Sequence, residues 1–215
     1  HHDERGHRFS YRRAGSAASL MRPDQVPDDA IRGAKVLHLS GISQAISASA
    51  ADACFHAMRV ARDAGVAVSY DLNLRKLLWP MERARAVIHG ALSLATIALP
   101  GLDDAEALSG LKDPQRIVRF YQSLGPSIVA LTLGEDGALV GDGEALPHVA
   151  PIRANLVDAS VAGDCCDGSF LAEWTRTGDV LAAARYAYAA ASLSVEGYSA
   201  FAPIPPREAV LARLG

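Results

Sequence analysis

Four short apolar runs that alternate with helical patterns constrain the fold of this chain more than any other feature. The runs are rich in Val, Ile, Leu or Ala and cover residues 35–40, 65–73, 94–100 and 127–134. Helical periodicity fills the intervals at 44–64, 81–91 and 103–124, the last with a break near Gly110. Strands that alternate with helices favour a parallel sheet, so the pattern predicts an α/β fold.

After residue 134 the pattern changes. The stretch GALVGDGEALPHVAP contains short apolar segments between tight Gly turns, which is typical of antiparallel strands. Ala-rich helical patterns follow at 164–177 and 179–196, and a short one lies near 206–214. We therefore expect a hairpin rather than another crossover, and then a helical C-terminal part.

Composition argues against several classes of function. The chain has 215 residues, of which 50% are hydrophobic, so it has ample material for a buried core. Its net charge of -3, with arginines spread along the chain, does not indicate nucleic-acid binding. The 3 cysteines lack CxxC spacing, and no apolar stretch reaches the ~18 residues of a membrane span. We expect free thiols, no membrane association and a cytoplasmic protein.

Polar residues lie at the ends of the predicted strands. In open α/β sheets, ligands bind beyond the carboxyl ends of the strands. The candidate residues for such a cleft are Ser40, Asp71, Asn73, Arg75, Thr132, Gly134 and Asp158. This placement predicts where a site lies and not what it binds.

The stretch LVDASVAGDCCDGSF, residues 156–170, predicts a strand that passes through a turn of small residues into a helix. The first amide groups of a helix lack internal partners and carry the positive end of the helix dipole, so they can bind an anion. A carboxylate at Asp164 would stay ionised there and could accept a proton from a hydroxyl. The alternative interpretation is that Asp164 only caps the helix.

Several motifs in register resemble the ribokinase, or PfkB, family of sugar kinases over almost the whole chain. They include TLGEDGALV at 132–140 and DASVAGD at 158–164, where the family usually has DTTGAGD. The stretches DLNLRKLLW at 71–79, LPGLDDAEALSG at 99–110 and YRRAGSAAS at 11–19 are similar to the branch that phosphorylates 2-keto-3-deoxygluconate. The resemblance implies a ribokinase-like three-layer fold with a mostly parallel central sheet, and a kinase that uses ATP and Mg2+.

The resemblance also implies how the chain is divided. Residues 1–20 would be a remnant of the β lid and of a substrate-binding strand, and residues 21–215 would form the α/β nucleotide-binding and catalytic domain. Family members carry further strands before this point, so we expect an N-terminally truncated fragment or a natural remnant with impaired catalysis. Lid strands in the family often pair between subunits, which implies a homodimer.

Site roles follow from the same resemblance. Asp164 would be the general base, and the turn of Val161, Ala162 and Gly163 that leads to it would be the anion hole. The residues that would bind the sugar acid are Tyr11, Arg13 and Arg75. Those that would bind ATP are Thr132, Gly134, Gly137 and Tyr188. Asp104 would hold Mg2+ through water, and a monovalent cation such as K+ would bind near the segment that begins at Asp158.

Three positions depart from the family pattern. Val161 replaces the first glycine of the usual GAGD; a β-branched residue there is strained if the position needs a positive φ, and little is lost if φ is negative. Tyr188 replaces a common Asn, and Ser199 replaces a common Gly, near the expected adenine pocket. Three interpretations stay open: a kinase for a sugar acid, a kinase for a neutral sugar such as fructose, and an impaired nucleotide-binding remnant.

Overall fold

A six-stranded sheet organises the chain in the computed structural model, which describes residues 2–3, 6–7 and 13–215. Its strands in sheet order are β3 (Val36–Ser40), β4 (Ala67–Asp71), β5 (Ile97–Leu99), β6 (Ile128–Thr132), β7 (Ala138–Asp142) and β8 (His148–Val149). The pairs from β3 to β6 are parallel, and the pairs from β6 to β8 are antiparallel. The strands predicted from the four apolar runs and the hairpin are therefore confirmed. The strand predicted at Leu156 and Val157 is wrong, because both side chains are exposed and no described strand pairs with them. A separate antiparallel pair is formed by β1 (His2–Asp3) and β2 (Gly6–His7).

The helices follow the predicted order with two differences. They are α1 (Asp28–Arg32), α2 (Gly41–Ala45), α3 (Ala48–Asp63), α4 (Met81–Leu92), α5 (Leu102–Ser109), α6 (Pro114–Leu124), α7 (Ala162–Thr177), α8 (Val180–Ser194) and α9 (Arg207–Leu214). The pattern at 44–64 is divided because the Ser47 hydroxyl accepts the amide of Ala50 at 3.0 Å and starts a new helix. Helix α1 is too short for its periodicity to have indicated it. No helix among the described residues is long and apolar enough to cross a membrane.

Alternating side chains give the sheet two buried faces. On one face, Val68 and Tyr70 of β4 pack with residues of α3, α4, α5 and α6. On the other face, Ile97 of β5 and Ala130 of β6 pack with α7 and α8. Because both faces are covered at β5 and β6, these central strands are mostly apolar, and the fold has the three layers that the resemblance implied.

The second face becomes polar at its β3–β4 end. His38 lies opposite Ser69, and Ser40 lies opposite Asp71, in the register of this parallel pair. The Nδ1 atom of His38 is 3.1 Å from the Ser69 hydroxyl, and the Ser40 hydroxyl donates to Asp71 at 3.1 Å. The helix α7 thus packs on apolar strands, while polar side chains lie beside its N-terminal end.

Helix α9 is joined to α7 through a carboxylate between two arginines. Glu173 of α7 pairs with Arg176 at 2.5 Å and with Arg207 of α9 at 2.6 Å. The Arg207 guanidinium also lies 5.0 Å from the ring centroid of Tyr186 on α8. These contacts hold the C-terminal helix against α7 and α8.

Candidate active site

Asp164 lies in the first turn of α7, as the sequence predicted, and its side chain is exposed. Helix α7 has no side-chain cap, and no hydrogen bond within the described part of the chain ends on the Asp164 carboxylate. By contrast, Asp179 accepts the amide of Ala182 at 2.9 Å and so caps α8. The alternative role of Asp164 as a hydrogen-bonding cap therefore receives no support from the structure.

The amide groups beside this carboxylate form the candidate anion site. The amide of Ala162 donates to the carbonyl of Ala159 at 3.2 Å, whereas no described group accepts from the amides of Gly163 and Asp164. Gly163 and Asp164 are both exposed, and a Cβ atom built on Gly163 would meet nothing within 4 Å. The anion hole predicted for the turn at residues 161–164 stays a prediction, and within that turn the amides of Gly163 and Asp164 are the ones without a described acceptor.

Val161, where the family has glycine, has a backbone conformation that valine accepts. Its φ is -120°, so the β-branched side chain is not strained. The side chain is buried in a cluster with Cys165, Tyr186 and Val210. Of the two expectations for this position, the structure agrees with the one in which little is lost.

Further carboxyl groups lie close to Asp164. Asp71, at the end of β4, accepts the Ser40 hydroxyl at 3.1 Å and the amide of Asn73 at 3.0 Å. Burial raises the pKa of Asp71 to about 6, and the charges of Asp104 and Asp164 add to this effect. The pKa of Asp167 is raised well above its ordinary value, mainly by burial and then by the charges of Asp71 and Asp164. Sequence analysis missed Asp167, although its spacing of three residues from Asp164 places both on one helix face.

Asp71 should make stability depend on pH. Its pKa is about 6 in the fold and 3.8 ordinarily, so the folded state holds the proton more tightly and loses stability as pH rises through this window. Asp71→Asn removes the charge and keeps an acceptor for the amide of Asn73. We expect this variant to be more stable than the parent by roughly 1–3 kcal/mol near pH 8, with no gain near pH 4. Urea unfolding at both pH values measures this, and a variant that is less stable near pH 8 would contradict it.

Asp104 lies in the first turn of α5, and one oxygen of its carboxylate accepts the amide of Leu74 at 2.7 Å. Burial raises the pKa of Asp104, and the charges of Arg75 and Lys76 partly oppose this. No described group donates to the other oxygen, so it can face a metal-bound water. Among the described residues no three His, Cys, Asp or Glu side chains are grouped to hold a metal ion directly. The donor set therefore fits a magnesium ion bound through water better than one bound by a cage of side chains.

The predicted sugar-binding residues are described unequally. Arg75 is exposed just beyond β4, and it donates no hydrogen bond to a described residue. Arg13 is half-buried, and its backbone carbonyl accepts the amide of Ser16 at 3.0 Å. Tyr11 lies outside the described residues, so its role and the assignment of residues 1–20 to a lid stay predictions.

The predicted ATP-binding residues surround the turn between β6 and β7. Thr132 ends β6 and forms an isolated bridge with Gly101, which precedes α5, and Gly134 is exposed. Gly137 has a φ of 90°, and a Cβ atom there would lie 2.0 Å from the carbonyl oxygen of Val149, so only glycine fits. Tyr188 contacts the turn from α8 through hydrogen bonds to Leu133 and Gly137.

Ser199 keeps a backbone conformation that suits glycine. Its φ is 93°, a value that side-chain-bearing residues rarely adopt. Ser199 stands where a glycine is common in the family pattern, and in the structure it has the positive φ that favours glycine. Position 199 therefore carries backbone strain beside the expected nucleotide site.

Comparison with known proteins adds an independent observation. Residues 2–207 match the model of the pfkB family carbohydrate kinases. The chain is 36% identical over 159 residues to a 2-dehydro-3-deoxygluconokinase of Bacillus subtilis, covering 72% of this chain and 48% of that protein. It is 31% identical over 163 residues to a fructokinase of Solanum tuberosum, covering 76% and 48%. The chain thus spans about half the length of these relatives.

Solved structures give the same result for the fold. A PfkB protein from Polaromonas sp. JS666 superposes with a TM-score of 0.85 at 30% identity, over 94% of this chain and 65% of that chain. An aminoimidazole riboside kinase from Salmonella enterica, solved with its riboside and an ATP analogue, has a TM-score of 0.84 at 26% identity, over 94% and 68%. The ribokinase-like fold predicted from the sequence is confirmed.

Proposed function

The chain belongs to the pfkB family of carbohydrate kinases, and on that premise we propose that it transfers the γ-phosphate of ATP to a hydroxyl group of a sugar acid, 2-keto-3-deoxygluconate. One observation carries the proposal. The exposed carboxylate of Asp164 lies beside the amide groups of Gly163 and Asp164, and neither amide donates a hydrogen bond to a described residue. A base for the hydroxyl and donors for the phosphate oxygens are the two requirements of phosphoryl transfer.

In the proposed reaction, Asp164 accepts the proton of the sugar hydroxyl as its oxygen attacks the γ-phosphorus. The bond between the γ-phosphorus and the bridging oxygen breaks, and ADP leaves. The amides of Gly163 and Asp164 donate to the oxygens of the moving phosphoryl group, where the helix dipole also favours negative charge. Asp104 would hold Mg2+ through water, and that ion supplies positive charge to the phosphates.

The base of the nucleotide has an apolar surface available beside the proposed phosphate site. The carbonyl of Val195, at the end of α8, accepts the amides of Val157 and Asp158 at 2.8 and 3.1 Å. The segment that follows α8 therefore lies against the segment that leads into α7. It exposes 77% of Tyr198 and 85% of Phe201, and aromatic surfaces of this kind suit a planar base. This is consistent with a nucleotide that extends from the first turn of α7 toward residues 198–201.

Arg75 supports the choice of an acidic sugar. Its guanidinium is exposed at the carboxyl end of β4 without a described hydrogen-bond partner, and its charge acts on Asp104 in the same cleft. A guanidinium fork binds a carboxylate through two parallel hydrogen bonds. The second candidate is a neutral sugar, because the chain is also similar to a fructokinase, and such a substrate has no need of Arg75.

The test is ADP release by the purified chain with ATP and Mg2+, with 2-keto-3-deoxygluconate or with fructose as acceptor. We expect turnover that depends on the sugar acid. Arg75→Ala should raise the KM for the acid ~10- to 100-fold, because a charge-assisted hydrogen bond contributes about 1.5–3 kcal/mol. Lys76→Ala is the matched control, since it removes the neighbouring exposed charge.

Each outcome separates the candidates. Turnover with fructose that is indifferent to Arg75→Ala would favour the neutral-sugar kinase. An equal rise of the KM in both variants would mean that only the local positive charge matters, and not a guanidinium clamp. A folded chain that turns over neither sugar would contradict the proposed activity for this chain.

A further inference from the structure

The hydroxyl of Tyr188 joins helix α8 to both ends of the turn between β6 and β7. The amide of Leu133 donates to the Tyr188 oxygen at 3.3 Å, and the Tyr188 hydroxyl donates to the carbonyl of Gly137. The same two backbone groups also bond each other, from the Leu133 amide to the Gly137 carbonyl at 2.7 Å. The Tyr188 hydroxyl, the Leu133 amide and the Gly137 carbonyl thus form one hydrogen-bond network where the two ends of the turn meet.

Few other bonds hold the rest of the turn. Its internal bonds run from the Asp136 amide to the Leu133 carbonyl at 3.2 Å and from the Gly137 amide to the Gly134 carbonyl at 3.3 Å. Residues 134–136 are exposed. On the opposite side, the Nε2 atom of His148 on β8 lies 2.7 Å from the Asp136 carbonyl. Among the described residues, Tyr188 supplies the only side-chain bond from the helical layer to this turn.

The ring of Tyr188 connects the turn to the helix that carries Asp164. It packs in the cluster that contains Cys166 and Phe170 of α7. Tyr188 also lines a small cavity together with Thr132 of β6 and Asp167 of α7. Burial raises the pKa of Tyr188, so the hydroxyl keeps its proton and remains a donor at neutral pH.

We propose that Tyr188 is a positioning residue for the nucleotide: it does not touch ATP, and its hydroxyl fixes the turn at residues 133–137 at a set position relative to the first turn of α7. This inference rests on the proposed function, because it assumes that the nucleotide lies across these two turns. It differs from the direct contact that the sequence suggested, since both hydrogen-bonding directions of the hydroxyl are taken by the backbone of the turn.

The Tyr188→Phe variant tests this, because it removes the hydroxyl and keeps the ring. The Gly137 carbonyl retains the Leu133 amide, so the fold should survive. Tyr186→Phe is the matched control, since Tyr186 lies two residues away on the same helix and faces Arg207 instead of the turn. Amide hydrogen exchange at residues 133–137 reports on the turn, and calorimetry with ADP on the whole chain reports on nucleotide binding.

We expect Tyr188→Phe to speed exchange in the turn about 10-fold and to weaken ADP binding ~5- to 20-fold, as for one lost hydrogen bond and its consequences. The KM for ATP should rise while kcat at saturating ATP changes less than about 2-fold. Tyr186→Phe should leave the exchange rates of the turn and ADP affinity unchanged.

The outcomes that overturn the inference are distinct from those that overturn the proposed function. Unchanged exchange at residues 133–137 in Tyr188→Phe would show that the hydroxyl does not fix the turn. Faster exchange with undiminished ADP affinity would show that the fixed turn does not serve the nucleotide. If the parent chain itself binds no ADP, the proposed function is contradicted and this inference fails with it.

Discussion

Asp164→Asn should lower turnover by about 10²- to 10⁴-fold, the contribution typical of a general base. Asn has nearly the same shape but does not accept the proton of the sugar hydroxyl. The carboxylate accepts no hydrogen bond from the described residues, and its charge opposes ionisation of Asp71 and Asp167. Its loss should therefore cost the fold no more than the interaction with the helix dipole, about 0.3–1 kcal/mol. Steady-state ADP release and urea unfolding measure the two effects separately.

Asp179→Asn is the control for this experiment. Asp179 also lies at a helix N-terminus, but its carboxylate caps α8 and is remote from the proposed chemistry. We expect this variant to keep the turnover of the parent. If Asp164→Asn retains more than about half of the parent turnover, Asp164 is not the base.

Gly41→Ala should destabilise the fold by roughly 2–4 kcal/mol or prevent folding. Gly41 is the first residue of α2, and a Cβ atom there would lie 2.1 Å from the carbonyl oxygen of Leu72 and 3.1 Å from its carbon. Both atoms belong to the backbone, so no side-chain rotation relieves the overlap. To relieve the overlap in the variant, β3 and the residues after β4 would have to move apart. That movement would also disrupt the hydrogen bond from Ser40 to Asp71.

Gly168→Ala provides the contrast. Gly168 lies inside α7, and a Cβ atom there would meet nothing within 4 Å. Alanine should therefore stabilise the helix by about 0.5–1 kcal/mol. The free energy of unfolding from urea titration distinguishes the two glycines. Equal effects of the two substitutions would show that the close approach at Leu72 does not constrain the fold.

The sequence predicted the fold well where apolar periodicity was strong. The runs that became β3 to β6, the break near Gly110 and the helices α7 and α8 all follow from local patterns. The pattern did not predict the division at Ser47, because its hydroxyl competes with the helix that the surrounding apolar residues favour. It also missed α1, whose 5 residues are too few to show a period.

The candidate site was predictable only in part. Asp164 and its turn were found because apolar residues, small residues and a helical pattern follow each other along the chain, although Leu156 and Val157 form no strand. The raised pKa of Asp71 and the burial of Asp167 depend on how separate segments meet, and no local pattern reports that. The hydrogen bond from Leu133 to Tyr188 spans 55 residues, so the sequence could suggest a role for Tyr188 but not its partners.

Val161 has a consequence for how the site responds to heat. A valine has fewer backbone conformations in the unfolded chain than a glycine would, so ordering the turn that leads to Asp164 costs less conformational entropy. The same side chain is only 6% exposed and belongs to the cluster formed by α7, α8 and α9. We therefore expect the turn to unfold together with the helices that surround it, so that thermal inactivation coincides with global unfolding.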